Sequence, residues 1–202
     1  MTRTGIYGGS FNPIHNGHVS LARHLIQEGL VDEVWLVVSP QNPFKRDDTL
    51  LDERSRLGLA RLAVEHEPGI EVSDVEMSLP RPSYMATTLR TLSARHPQRQ
   101  FSLIIGADNW VRFPQWHESA WIMAHYPLIV FPRPGCPLGQ VPQGVQVART
   151  PLLDISSTWV REHASRPGYD GEGLPPRVWE EIRTRSFYGA PAPQASPSGQ
   201  GR

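Results

Sequence analysis

Residues 3–18 read RTGIYGGSFNPIHNGH, and this stretch decides the fold. Arg3 to Tyr7 is short and β-prone, which predicts a strand, and Gly8-Gly9 predicts a tight turn at its end. From His18 to Glu28 the apolar residues fall on one face, which predicts a helix that follows the strand. The chain therefore begins with a strand, a glycine-rich connection and a helix.

The rest of the chain repeats this alternation. Val34 to Val38 is apolar throughout, as is typical of a strand buried on both faces of a parallel sheet. Further strands are predicted at Ile70–Val75, Phe101–Ile105, Leu128–Phe131 and Val145–Val147. Further helices are predicted at residues 52–66, Tyr84–Arg95, Ser119–His125, Ser157–Ala164 (capped by Ser157) and Pro176–Arg185. Five alternations predict an α/β fold with a doubly wound parallel sheet.

One domain is expected over residues 1–188, followed by a disordered tail over residues 189–202 that is rich in Gly, Ala, Pro, Ser and Gln. Ligands of doubly wound sheets bind outside the carboxyl ends of the strands. The sequence therefore predicts one crevice where four segments meet, namely Gly8-Gly9, Ser39 to Lys45, Gly106 to Asn109 and Ile155 to Arg161.

Composition narrows the function classes. Twenty basic and 20 acidic residues give a formal net charge of zero, which argues against nucleic acid or an anionic membrane as a partner. A single cysteine excludes an internal disulfide and a cysteine-based zinc site. No run approaches the roughly 18 apolar residues of a membrane span, and no signal peptide is expected at the N-terminus. We therefore expect a cytoplasmic protein.

The glycine-rich connection has the physical features of a phosphate site. It is neither a Walker loop nor a dinucleotide fingerprint. Two glycines let backbone N–H groups approach a ligand, and the following helix presents its N-terminus to an anion. His15 and His18 are three residues apart and share a helical face. A bare turn with structural histidines has the same pattern, so the residues alone leave both interpretations open.

Four motifs in order resemble a known family. Residues 8–18 are similar to the G-G-[ST]-F-x-P-x-H-x-G-H signature of the H-x-G-H nucleotidyltransferases. Ile155-Ser156-Ser157-Thr158-x-x-Arg161 resembles the I-S-[SA]-T-x-[IV]-R box of one branch, the nicotinate mononucleotide adenylyltransferases. Gly106-Ala107-Asp108 with Phe113 and Trp116, and the ending from Leu174 to Tyr188, are similar to two further motifs of that branch. The resemblance implies a Rossmann-like nucleotidyltransferase fold.

The resemblance also implies a reaction: AMP passes from ATP to nicotinate mononucleotide, which gives deamido-NAD and pyrophosphate. Because a phosphate nucleophile is already ionised at neutral pH, no general base is needed, and catalysis rests on positioning and charge neutralisation. Magnesium would arrive with ATP and keep several waters, so no dedicated metal site is expected. The expected partners are ATP and the mononucleotide, and an oligomer is compatible with the sequence.

The resemblance also implies roles for the residues of this chain that match the family's motifs. The catalytic group implied is His15, His18 and Arg161. The implied ATP-binding set is Gly8, Gly9, Ser10, Phe11, His15, His18, Gly106, Asp108, Ile155, Ser156, Ser157 and Arg161. The implied mononucleotide-binding set is Ser10, Asn42, Lys45, Met85 and Trp116, with His117 as a further candidate for the lining of the acceptor pocket.

Three positions depart from the family pattern: Asn12 stands where many members have Asp, Phe44 where a histidine is common, and Met85 where a threonine is common. The Met85 departure concerns the choice of acceptor, because in the family this position helps to recognise the nicotinate end of the mononucleotide. Two alternatives stay open. One is the same reaction on nicotinamide mononucleotide or phosphopantetheine, and the other is a nucleotide sensor without turnover.

Overall fold

The computed structural model of the chain describes residues 1–40, 50–139, 141–149 and 155–193. In these ranges the strands are β1 (Thr2–Gly9), β2 (Glu33–Val38), β3 (Ile70–Ser73), β4 (Arg99–Gly106), β5 (Leu128–Phe131) and β6 (Val145–Val147). The α-helices are α1 (Asn16–Gln27), α2 (Glu53–Val64), α3 (Met85–Arg95), α4 (Ala107–Arg112), α5 (Ser119–His125), α6 (Ser157–Ala164) and α7 (Pro176–Thr184). Short 3₁₀ turns occur at Val75–Ser78, Phe113–Gln115 and Phe187–Gly189. None of these helices is long and apolar enough to cross a membrane.

The strands form one parallel sheet in the order β3-β2-β1-β4-β5-β6. The chain moves outward from β1 to β3 and then returns to the other side of β1 with β4, so the topological switch point lies between β1 and β4. Ligands of doubly wound sheets bind at this point, beyond the carboxyl ends of the strands. The predicted fold class is confirmed.

Each face of the sheet buries its own apolar core. Along β1 and β2 the side chains alternate, so that Tyr7 and Leu36 face one core while Ile6 and Trp35 face the other. Helices α1, α2, α6 and α7 cover the first core, and α3 and α5 cover the second. Burial on both faces explains why β2 is apolar without interruption.

The observed end of β1 and start of α6 differ from the predicted ones, at a glycine pair and at a helix cap. Gly8 and Gly9 lie within β1, paired with Val37 and Val38, so the predicted turn at these glycines is wrong. The chain turns later, at Phe11, whose φ is +45°. Helix α6 is capped by Ser156, one residue earlier than predicted, because its hydroxyl accepts from the N–H of Trp159 at 3.1 Å.

The C-terminal segment begins in packed structure. Ala190, which the sequence placed in a disordered tail, is 3% exposed, and its N–H donates to the carbonyl of Phe187 at 3.0 Å. Residues 194–202 lie outside the described ranges. The predicted domain boundary at residue 188 stays a prediction.

Candidate active site

The start of α1 holds the two predicted histidines against each other. His15 is the N-cap residue, and its Nδ1 accepts from the N–H of Gly17 at 3.1 Å. The N–H of His15 in turn donates to Nδ1 of His18, also at 3.1 Å. The two rings lie with their centroids 3.7 Å apart, and both side chains are buried. The pair is therefore built into the capping box of the helix.

These hydrogen bonds decide the protonation of both rings. A Nδ1 that accepts a hydrogen bond carries no proton, so the proton of each neutral ring sits on Nε2. Burial lowers the pKa of His15 to about 3, and the nearby Arg133 adds to the effect. Burial, the His15 ring and Arg133 hold the pKa of His18 well below 6.5. Both histidines can donate from Nε2, but they add no positive charge to the site.

A positive charge next to the histidines comes from Arg133, which is absent from the predicted site. Its guanidinium lies over the ring of Phe131, and its Nε is 3.8 Å from an Asp108 carboxylate oxygen. That Nε is buried without a hydrogen-bond partner among the described residues. Arg133 lies two residues past the end of β5, at the same sheet edge as the glycines of β1. Its position after a predicted strand is the signal that could have found it.

Neighbouring strand ends leave a small cavity between β1, β4 and β5. Gly8, Gly106, Asn109, Met85, Trp116 and Arg133 are among its lining residues. A Cβ at Gly8 would lie 2.6 Å from Cε of Met85, and one at Gly106 would lie 2.5 Å from an Asp108 carboxylate oxygen. The structure thus brings the predicted Gly8, Gly106, Met85 and Trp116 together, with Asp108 beside them.

The motif at residues 155–161, which leads into α6, packs against the loop after β1. Arg161 Nη1 donates to the carbonyl of Asn12 at 2.7 Å, and the Ser157 hydroxyl donates to the carbonyl of Pro13 at 2.9 Å. Cγ2 of Ile155 would lie 3.1 Å from a Cβ placed on Gly17. The predicted residues Ile155, Ser157 and Arg161 therefore lie against the histidine loop.

Phe11 and Asn12 support this loop from within the fold. The buried Phe11 ring lies 5.0 Å from the His18 ring, centroid to centroid, and would be 3.1 Å from a Cβ on Gly9. The side-chain oxygen of the buried Asn12 accepts from the N–H of Leu51 at 3.2 Å and from the Tyr188 hydroxyl at 2.8 Å. Because both partners donate, the amide oxygen of asparagine satisfies them without a charge.

The structure describes some of the residues that the sequence predicts for the acceptor site. Trp116 lies against Phe113 with ring centroids 5.5 Å apart, and Tyr84 packs on His117 at 4.4 Å. Ser10 follows β1 directly. Asn42, Phe44 and Lys45 lie outside the described residues, so their predicted roles stay predictions.

The described residues contain no group of three or more His, Cys, Asp or Glu side chains placed to hold a metal ion. The expectation of a magnesium ion that arrives with ATP remains a prediction.

Comparison with known proteins settles the family. The cytidylyltransferase-like family model matches residues 6–163, which is most of the chain. The chain belongs to the cytidylyltransferase-like family. A probable nicotinate-nucleotide adenylyltransferase of Bacteroides thetaiotaomicron is 44% identical over 183 residues, covering 90% of this chain and 91% of the relative. A relative of the same description from Bacteroides fragilis is 48% identical over 163 residues, covering 80% and 81%. The predicted resemblance is confirmed.

Solved structures share the architecture of this chain. The nicotinic acid mononucleotide adenylyltransferase of Plasmodium falciparum complexed with NaAD superimposes with a TM-score of 0.77 at 17% identity, covering 95% of this chain and 99% of that chain. A putative nicotinate-nucleotide adenylyltransferase from Vibrio parahaemolyticus gives 0.67 at 19% identity, covering 93% and 96%. At these identities the likeness shows a common fold.

Proposed function

We propose that this protein transfers AMP from ATP to nicotinate mononucleotide and so forms deamido-NAD and pyrophosphate. The observation that carries the proposal is the pair of neutral histidines at the start of α1, beyond the carboxyl end of β1. The choice of nicotinate mononucleotide as the acceptor rests on the relatives that are 44% and 48% identical to this chain, both described as probable nicotinate-nucleotide adenylyltransferases. ATP and magnesium are available in the cytoplasm, where we place the reaction.

The chemistry is a direct displacement on the α-phosphorus of ATP. An oxygen of the mononucleotide phosphate attacks this phosphorus in line, and a new P–O bond forms. The bond from the α-phosphorus to the oxygen that bridges to the β-phosphate breaks, and its electron pair leaves with pyrophosphate. No proton has to be removed from the nucleophile, since phosphate is ionised at neutral pH. The site therefore needs donors and positive charge at fixed positions.

The residues divide these tasks between them. His15 and His18 donate Nε2–H hydrogen bonds to phosphate oxygens, and their Nδ1 bonds fix both rings before ATP binds. Arg161, at the loop after β1, and Arg133, beside the histidines, offset the negative charge that moves onto pyrophosphate. The main-chain N–H groups of the Ser156-capped helix add a second anion-binding end. Magnesium, bound to the ATP phosphates, would supply further charge neutralisation.

The acceptor site favours a flat ring next to an aromatic wall. Trp116 and Met85 border the cavity at the switch point, and the pyridine ring would stack on Trp116. Met85 is the first residue of α3, so its N–H has no partner within the helix and can donate to a carboxylate. A main-chain donor does not depend on the side chain, which is why methionine serves where a threonine is common. Nicotinamide mononucleotide remains the alternative acceptor.

The deciding experiment is pyrophosphate release with ATP and magnesium, compared for nicotinate mononucleotide, nicotinamide mononucleotide and phosphopantetheine. We expect the highest kcat/KM with nicotinate mononucleotide. Comparable rates with nicotinamide mononucleotide would keep the reaction and broaden the acceptor. Absence of pyrophosphate with all three acceptors, from a protein that still binds ATP, would support the nucleotide sensor instead.

A further inference from the structure

Glu118 has a left-handed backbone conformation, with φ +55° and ψ +35°. A residue with a Cβ disfavours this conformation, because Cβ then crowds the carbonyl group, and glutamate is not among the residues enriched in it. Glu118 is the N-cap residue of α5, but its side chain makes no capping hydrogen bond. Helix capping by the side chain therefore does not explain the conformation, and another contact has to hold it.

The carboxylate of Glu118 is bound by Arg90 of α3. Nη1 of Arg90 donates to Oε1 at 3.0 Å and Nη2 donates to Oε2, so the ion pair is bidentate. The Arg90 guanidinium also stacks on the Trp121 ring, 3.6 Å from its centroid. The hydrogen bonds to Arg90 lower the pKa of the Glu118 carboxyl, so both groups are charged at neutral pH. A stacked, bidentate arginine fixes the direction of the carboxylate and thereby restrains the backbone that carries it.

The residues just before Glu118 connect it to the proposed acceptor site. Trp116 borders the cavity at the switch point, where the pyridine ring is proposed to stack on it. His117 packs against Tyr84, the N-cap residue of α3, with ring centroids 4.4 Å apart. Met85, the next residue of α3, borders the same cavity. Residues 117 and 118 both contact α3, so these contacts set the position of Trp116 relative to Met85.

The lining of this cavity has two parts with different supports. Gly8 and Gly106, which are predicted to bind ATP, lie in β1 and β4, where strand pairing fixes them. Trp116 and Met85, which are predicted to bind only the mononucleotide, lie outside the sheet. A change in the residues after Trp116 is therefore expected to affect the acceptor more than ATP.

We propose that Arg90 and Glu118 are a positioning pair of the acceptor site: their ion pair holds the backbone at residue 118 in the left-handed conformation and so keeps Trp116 in place for the pyridine ring. The inference rests on the proposed function. Neither residue is among those that line the cavity, so the effect on turnover passes through Trp116. When the fraction of molecules with Trp116 in place falls, the apparent affinity for the acceptor falls by the same factor.

The test measures KM for each substrate in two variants of residue 118. Glu118→Ala removes the carboxylate and keeps a Cβ, so KM for nicotinate mononucleotide should rise roughly three- to five-fold. Glu118→Gly also removes the carboxylate, but glycine adopts the left-handed conformation without a steric penalty, and the same KM should stay within about two-fold of wild type. KM for ATP should change by less than about two-fold in both variants, because a ligand that does not contact Trp116 does not depend on its position.

Arg90→Gln tests the pair from the side of α3. On its own it should raise the acceptor KM as Glu118→Ala does. In the Glu118→Gly background it should add nothing, since the two residues act as one unit.

Glu67→Ala is the matched control. It removes another bidentate ion pair, with Arg23 of α1, in which Nε donates at 3.0 Å and Nη2 at 2.6 Å. Glu67 lies just before β3, at the amino end of the strand and therefore at the sheet edge opposite to the site. Both KM values should stay at wild type.

Thermal melting separates positioning from folding. Glu118→Ala and Glu67→Ala should both melt cooperatively above the assay temperature. If Glu118→Ala does not, Arg90→Gln with and without Glu118→Gly carries the test. Unchanged acceptor KM in folded Glu118→Ala, an equal rise in Glu118→Gly, an equal rise in KM for ATP, or an added effect of Arg90→Gln in Glu118→Gly would each overturn the proposal. Absence of turnover in wild type would instead contradict the proposed function itself, and the role of the pair with it.

Discussion

The hydroxyl of Tyr188 donates a hydrogen bond to Oδ1 of Asn12 at 2.8 Å, between residues 176 positions apart. Asn12 lies in the loop that carries His15, and Tyr188 lies in the last 3₁₀ turn of the described chain. Burial raises the pKa of the Tyr188 phenol, so the hydroxyl stays protonated and remains a donor. The histidine loop is thus held from the C-terminal end of the domain.

Tyr188→Phe should lower both stability and ATP affinity, because it removes this hydrogen bond and keeps the ring. We expect a loss of about 1 kcal/mol in the free energy of unfolding, measured in urea, with a several-fold rise in KM for ATP. Tyr126→Phe is the matched control. It removes a hydrogen bond of 2.8 Å to Ser93, between α3 and the end of α5, and should change stability alone. Equal kinetic effects of the two variants would contradict the link to the site.

His18→Ala should abolish most turnover and leave the fold intact. Removal of one preorganised donor typically costs about 10²- to 10³-fold in kcat, and we expect a loss of this size in pyrophosphate release. His125→Ala serves as the control, since this exposed residue of α5 contacts Trp121 of its own helix, through the Trp121 carbonyl and by ring stacking. A wild-type rate in His18→Ala would exclude the assigned role.

Gly17→Ala should reduce activity through His15. A Cβ at Gly17 would lie 2.9 Å from the His15 ring and 3.1 Å from Cγ2 of Ile155, so the ring has to shift. We expect kcat to fall roughly ten-fold or more, since a small misplacement near the chemistry is costly. Gly58→Ala, in α2 with open space around its Cβ, should leave kcat unchanged and raise stability by about 0.5–1 kcal/mol. Equal kcat values for the two variants would show that the His15 ring tolerates the shift.

Acid should destabilise the protein through the histidine pair. The unfolded chain binds protons on histidine near pH 6.5, whereas burial lowers the pKa of His15 to about 3 in the folded state. Stability from this residue is therefore fully present above about pH 6.5 and is lost as the pH falls toward about 3. His15→Asn keeps a good N-cap and should make the decline between about pH 6.5 and about pH 5 shallower in urea unfolding. An unchanged slope would show that His15 does not control it.

Glu76 should make the protein less stable as the pH rises, whereas the histidines make it less stable as the pH falls. Burial raises the pKa of this carboxyl above 4.5, although it accepts hydrogen bonds from Thr88 and Ser39, both at 2.8 Å. A group with a raised pKa contributes stability that is present below about pH 4.5 and is lost as the pH rises through its folded pKa. Glu76→Gln removes this ionisation and should reduce the loss of stability as the pH rises above about 4.5, as measured by the free energy of unfolding in urea. A pH profile that matches wild type would contradict the assignment.

Local patterns predicted the sheet well. The apolar runs of β2 and β5 and the strand–glycine–helix start correspond to the observed elements, because burial on both faces leaves a clear signature. Helix α4 was missed, since it has six residues and buries little beyond Ala107. A glycine pair after a strand predicts a turn, whereas Gly8 continues the strand and approaches Met85 of α3, a tertiary contact that the local pattern does not contain.

The motifs predicted that His15, His18 and Arg161 lie together, and the structure places them at one loop; their roles stay predictions. The neutral state of the histidines depends on which main-chain groups meet Nδ1, and a residue pattern does not contain that geometry. Arg56 shows the limit most clearly. Hydropathy places an arginine at the surface, and only the convergence of four carbonyls from two loops explains its burial.

The contact between Asn12 and Tyr188 also sets an order of events during synthesis. Strand β1 is translated before the other five described strands, yet the loop that follows it receives contacts from Arg161 and Tyr188, which are translated after all six. The nascent chain can form the described strands of its sheet before the histidine loop gains these two contacts, when Leu51 is already available to donate to Asn12. Nucleotide binding should therefore appear late in translation, after the framework has formed.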